Sequence, residues 1–117
     1  MKRLVAATAA VWILTSGCPH ASVLLSEHRA RDKAINILKG EPYGRSRVAV
    51  EKNIKSVRFV RNGDTKACGP IQNAAWEFHV IVMTAGKNKF VNRSIDGFLA
   101  LDAHTGKILC ANLPFLD

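Results

Sequence analysis

No apolar run in this chain reaches the about 20 residues that a membrane-spanning helix needs; the uncharged run at 4–14 stops short of it. No cysteine has a Cys-x-x-Cys partner, which argues against a zinc site. Neither a repeat nor a low-complexity tract is visible, so solenoids and propellers lack their basic unit of evidence. No glycine-rich segment precedes a Gly-Lys-Ser/Thr string, which removes the nucleotide-binding P-loop. Histidines stand at 20, 28, 79 and 104, and none shares a recognisable spacing with another His, Asp or Cys. No carboxylate pair suggests glycosidase chemistry. Acidic residues are also scarce, 9 Asp and Glu against 17 Lys and Arg. The positive charges are scattered, with no run of five, as on a solvated basic surface.

Most informative is the start of the chain. Met1-Lys2-Arg3, then the apolar run 4–14, then Thr15-Ser16-Gly17-Cys18 have the order of a secretory signal: a short basic segment, a greasy stretch and small residues before cleavage. The string "LTSGC" at 14–18 resembles the lipobox of bacterial lipoproteins. That resemblance implies that Cys18 is lipidated and becomes the first mature residue. Thr15 and Gly17 also satisfy the small-residue rule of an ordinary signal peptidase, in which case Cys18 begins a soluble secreted protein. The expected division is a signal over 1–17, a tether over 18–22 and one α+β domain over 23–117.

Three cysteines leave one over in an exported protein. With lipid on Cys18, the remaining Cys68 and Cys110 form a disulfide in an oxidising compartment; two independent free thiols are the competing reading. Loss of the signal takes two positive charges from the +8 of the whole chain and leaves it basic. Such a surface draws acidic partners: anionic lipid, lipopolysaccharide, anionic glycan or an acidic protein face. Nucleic acid fits the charge but not the compartment.

Between residues 22 and 39, Ala30, Ala34, Ile37 and Leu38 recur at helical spacing, flanked by Leu24 or Leu25 and Ile35. Ser22 or Ser26 can cap that helix, and Gly40 with Pro42 ends it. Such a stripe packs on a sheet; binding to a membrane surface is the rival use. Residues 41–53 hold a turn at Tyr43-Gly44, then either a strand or a short second helix. From Ile54 the pattern is that of a strand, with Val57 and Phe59 on one side. Asn62-Gly63 reads as a turn and 64–73 as a polar loop around Cys68. In "AWEFHVIVMTAG", Trp76, Phe78, Val80 and Val82 alternate with Glu77 and His79, the mark of a strand buried on one face. Ile81 and Met83 on the other face suggest that its later half is covered twice or meets a partner.

The last motif is "FLALDAHTGKILC" at 98–110. A hairpin accounts for it: strands at 98–101 and 108–112, Asp102 bonded to its own turn, and Gly106 free to take positive φ with Thr105 beside it. The Leu-Asp-Ala-x-Thr-Gly-Lys string also resembles one unit of quinoprotein-type propellers, but one copy cannot close a propeller. Together, the helix with Ala30 and Ala34, the strand Trp76-Glu77-Phe78-His79-Val80 and this hairpin resemble the PepSY type of small extracytoplasmic domain over residues 26–112. The resemblance implies one main N-terminal helix packed on an antiparallel sheet of three to four strands ending in a β-hairpin. It also implies a binding role, such as peptidase inhibition, in preference to catalysis. The 64–73 loop and the Cys68/Cys110 pair depart from that pattern.

The expected function is thus that of a small envelope lipoprotein of a bacterium, lipid-anchored and facing the periplasm or exterior. It acts as a non-catalytic binding module of inhibitor or immunity type, with no cofactor, no metal and an envelope protein or acidic envelope component as partner. A carrier of an anionic lipid or glycan and a purely structural lipoprotein are the alternatives. The candidate contacts are the strand face Glu77, His79, Ile81 and Met83 and the loops carrying Tyr43, Arg45, Arg47, Lys87 and Lys89. Glu77 and His79, two apart on one strand face, are also the pair from which a dyad or metal site would have to be built.

Overall fold

A computed structural model describes residues 23–83 and 94–116. The elements are α1 (Glu27–Leu38), α2 (Arg47–Asn53), β1 (Ile54–Arg61), β2 (Asp64–Thr65), β3 (Gly69–Pro70), β4 (Ala74–Val82), β5 (Ile95–Asp102) and β6 (Ile108–Ala111). The fold is α+β: among the described residues, two helices lie on one face of an antiparallel sheet ordered β1-β4-β5-β6, with β2 and β3 forming a separate small pair.

α1 begins where Ser26 accepts the Arg29 backbone N–H at 3.2 Å, which satisfies one of the donors a helix start leaves open. Ala30, Ala34, Ile35 and Leu38 are its buried positions, one stripe at helical spacing. Two of the four are alanines, so the helix axis can lie close to the sheet. α2 resolves the ambiguous 41–53 segment. Ser46 caps it by accepting the Ala49 N–H at 3.2 Å, and Val50 is its buried anchor.

On β4, Trp76, Phe78, Val80 and Val82 face the helices, opposite Leu101, Leu99, Gly97 and Ile95 of β5. Phe78, Val80, Leu99 and Leu101 are fully buried there with Ile35, Leu38 and Val50. Val57 and Phe59 pair with Phe78 and Trp76 and share that face, with the Phe59 and Trp76 rings 5.0 Å apart.

Residues 64–73, read above as a polar loop, are an ordered hairpin built from β2 and β3. Thr65 Oγ donates to the Gly69 carbonyl and accepts the Cys68 N–H, both at 2.9 Å, while the Ile71 N–H reaches the Gly63 carbonyl at 2.8 Å. A disulfide joins Cys68 to Cys110 with the Cα atoms 5.4 Å apart, tying this hairpin to β6 at the other side of the sheet.

Candidate functional site

The side of the sheet turned away from the helices carries Glu77 and His79 on β4, Arg58 on β1, Asp96 and Phe98 on β5 and Cys110 on β6. Strand alternation in 76–82 predicts Glu77 and His79 exposed. The hairpin overturns this for half of the face. Glu77 is only 2 % exposed, so it is a structural carboxylate and not a contact for a partner. Arg58 Nη2 donates to its Oε1 at 2.6 Å, and the backbone N–H groups of Lys66 and Ala67 donate to Oε2 at 2.6 and 2.9 Å. Arg58 also donates to the Asp64 carbonyl at 3.0 Å. One carboxylate therefore closes the β2–β3 hairpin onto the sheet, and the cost of burying its charge is offset by charge-assisted hydrogen bonds. An alternating pattern cannot reveal this, because the covering residues lie in another segment.

Beyond the hairpin the same face stays accessible. His79 Nε2 lies 2.7 Å from Asp96 Oδ1, and since a carboxylate only accepts, Nε2 carries the proton. The imidazole stacks on Phe98, ring centres 4.4 Å apart and 12° from parallel. Ile81 is half-buried next along the strand, and Met83 is 73 % exposed at its end. Asp96 and Phe98 join His79 only through strand pairing and are absent from the residues singled out above. A polar-aromatic alternation in "DGF" was the one signal that could have pointed to them. Ser56 stands opposite His79 in register. Glu77 and His79 do not converge either, since Glu77 is committed to Arg58 and the hairpin. Among the described residues no group of three or more His, Cys, Asp or Glu could hold a metal ion.

The remaining candidates divide. Tyr43 is 2 % exposed, with its hydroxyl donating to the Pro114 carbonyl, so it belongs to the core and not to a contact loop. Burial pushes its phenol up to about 12. Arg45 is exposed and pairs with Glu41 at 3.1 Å; Arg47 pairs with Asp32. The Arg47 guanidinium holds the Asp32 carboxyl below its ordinary value. Lys87, Lys89 and the lipidation candidate Cys18 lie outside the described residues.

At the far end of the sheet the β5–β6 turn has the expected form. Asp102 Oδ1 accepts the N–H groups of His104 at 2.7 Å and Thr105 at 3.0 Å, and Gly106 takes φ +79°. Burial acts to raise the Asp102 carboxyl, but the amides of Thr105 and His104 outweigh it and leave the group lowered. Beside this turn a groove of about 380 Å³ runs along β6, lined by Ile108, Leu109, Cys110, Ala111 and Leu116. No family model matches the chain, and no curated protein or solved structure matches it.

Proposed function

We propose that this chain is a small exported bacterial lipoprotein, anchored through Cys18, that works as a non-catalytic binding module of inhibitor or immunity type. The observation that carries the reading is the divided outer face of the sheet. The hairpin held by Glu77 and the disulfide seals one half, and a shelf of His79, Phe98, Ile81 and Met83 is left beside it. A shelf on rigid strands, part apolar and part polar, suits a protein surface, where an accessible apolar anchor in a polar rim contributes most of the affinity. The Asp96 carboxylate fixes the imidazole, so the shelf is pre-organised and little side-chain entropy is lost on binding. A helix packed on an antiparallel sheet also accords with the PepSY-type resemblance and supports carrying it into this proposal.

The test is affinity capture from an envelope extract on the oxidised chain, at low and high salt, beside the double variant Ile81→Asp/Met83→Asp. One saturable protein, retained in high salt by the native chain and lost by the variant, is the expected result. Equal retention by the variant, or recovery of nothing but salt-labile lipid or glycan, would overturn the reading.

A further inference from the structure

We propose that the end of the domain formed by the start of α1 and the β5–β6 turn is a docking face for an anionic phospholipid bilayer. The inference rests on the reading of Cys18 as a lipid anchor and adds which face of the domain meets the membrane.

The path of the chain toward its N-terminus is fixed at this end. The Leu25 N–H donates to the Ala103 carbonyl at 2.8 Å, Trp76 Nε1 donates to the Leu25 carbonyl at 3.0 Å, and His104 Nδ1 lies 3.0 Å from the Val23 carbonyl. Val23, the first described residue, therefore stands beside the β5–β6 turn. Cys18 is five positions before Val23, and five residue steps span at most about 18 Å. A lipid on Cys18 would hold this end within about two Debye lengths of the bilayer surface at physiological salt.

The charge there is of the right sign, with Arg29 partly offset by the nearby Asp32 carboxylate, which it helps to hold low. The stem of Lys33 crosses Gly106, where an added Cβ would meet Lys33 Cδ at 2.1 Å, so it lies against the turn that carries Lys107. Arg29 is one helical turn before Lys33 on the same face of α1. Among the described residues Arg31, Arg45, Arg47 and Arg58 are ion-paired, whereas Arg29, Lys33 and Lys107 are not. The acid of this turn, Asp102, has its carboxylate engaged by backbone amides. Apolar side chains stand among these cations: Val23 is 61 % exposed and Ile108 42 %. Cations around exposed apolar groups, beside a residue five positions from an acylated cysteine, are the composition that anionic membrane surfaces attract.

The experiment compares the full-length chain on vesicles of phosphatidylcholine alone and of phosphatidylcholine with about one-third phosphatidylglycerol. Dividing the two partition coefficients cancels whatever the apolar leader contributes to both. Each Lys or Arg near an anionic surface strengthens binding about fivefold. Loss of three such cations corresponds to about 100-fold and the reversed charges add to it, so the variant Arg29→Glu/Lys33→Glu/Lys107→Glu should lower the anionic preference at least about 100-fold. A control with the same charge change, Lys39→Glu/Lys52→Glu/Lys55→Glu, alters residues by the opposite ends of the helices and should lower it less than about fivefold. Equal losses in the two variants, or no anionic preference in the native chain, would overturn the docking face. Uptake of labelled palmitate, compared with Cys18→Ser, reads the anchor separately. A native chain that takes up none sinks the anchor and leaves the vesicle ratio to judge the face alone.

Discussion

Glu77 shows at the scale of one residue how position and role can part. Its place in "AWEFHV" is that of a solvent-facing strand carboxylate, and the hairpin folded over it turns it into a clasp. Glu77→Ala leaves the Lys66 and Ala67 N–H groups without an acceptor under the hairpin. It should cost about 2–4 kcal/mol in urea unfolding, within the range for orphaned buried donors. Glu77→Gln keeps an acceptor oxygen and should lose less than half of that. A loss below about 0.5 kcal/mol in the alanine variant would mean that the clasp contributes nothing. Tyr43 offers a second check, and as the only tyrosine it can be followed by its own absorbance. Its folded value of about 12 lies above the ordinary 10.0, so the fold favours the neutral phenol. The stability this represents is whole below pH 10 and is lost as pH rises through 12. Tyrosinate should form with a midpoint near 12, together with the loss of near-ultraviolet ellipticity; a midpoint near 10 in the folded protein would place the ring in water. Neither role was legible in the sequence, because each depends on a segment distant in the chain: the 64–70 hairpin for Glu77 and Pro114 for Tyr43.

Among the elements, α1 and the β5–β6 turn were the most legible, since both are set by local chemistry. Ala30, Ala34 and Leu38 repeat at helical spacing, Ser26 caps the start, and Asp102 and Gly106 meet the demands of a tight turn within five residues. α2 was ambiguous because "VAV" suits a strand as well as a helix. The Ser46 cap, the anchor Val50 and the Asn53 amide donating to the Tyr43 carbonyl at 2.9 Å decide it. The close approach behind β5 was not legible at all. A Cβ on Gly97 would lie 2.6 Å from the Asn112 carbonyl oxygen and 2.8 Å from Leu113 Cδ2, so the strand exit packs directly on this glycine. Gly97→Ala must push that backbone away and should cost about 1–3 kcal/mol. Hydrogen exchange at the Asn112 amide, which donates to the Phe98 carbonyl at 3.0 Å, should accelerate with it. Unchanged protection there would show that the exit segment gives way freely.

For the whole molecule the disulfide is the device that divides the outer face. It links residues 42 apart and so restrains the unfolded chain over most of the sheet-forming sequence. The chain-entropy relation puts its contribution at about 4 kcal/mol, and strain can lower that. Cys68→Ser should lower Tm by roughly 15–20 °C for a domain of this size. The lost tie should also make the 64–70 hairpin the first segment cut by a protease, ahead of the helix-covered face. A Tm drop of only a few degrees would show that Glu77 holds the hairpin unaided. Periodicity, caps and turn chemistry determined the α+β class, the main helix, the long central strand and the terminal hairpin, because each is an interaction among residues a few positions apart. Tertiary structure alone decided which half of the outer face is sealed, that Asp96 and Phe98 flank His79, and that Arg29, Lys33 and Lys107 share one end. Those groups meet through strand pairing and helix packing, and sequence distance does not encode such meetings.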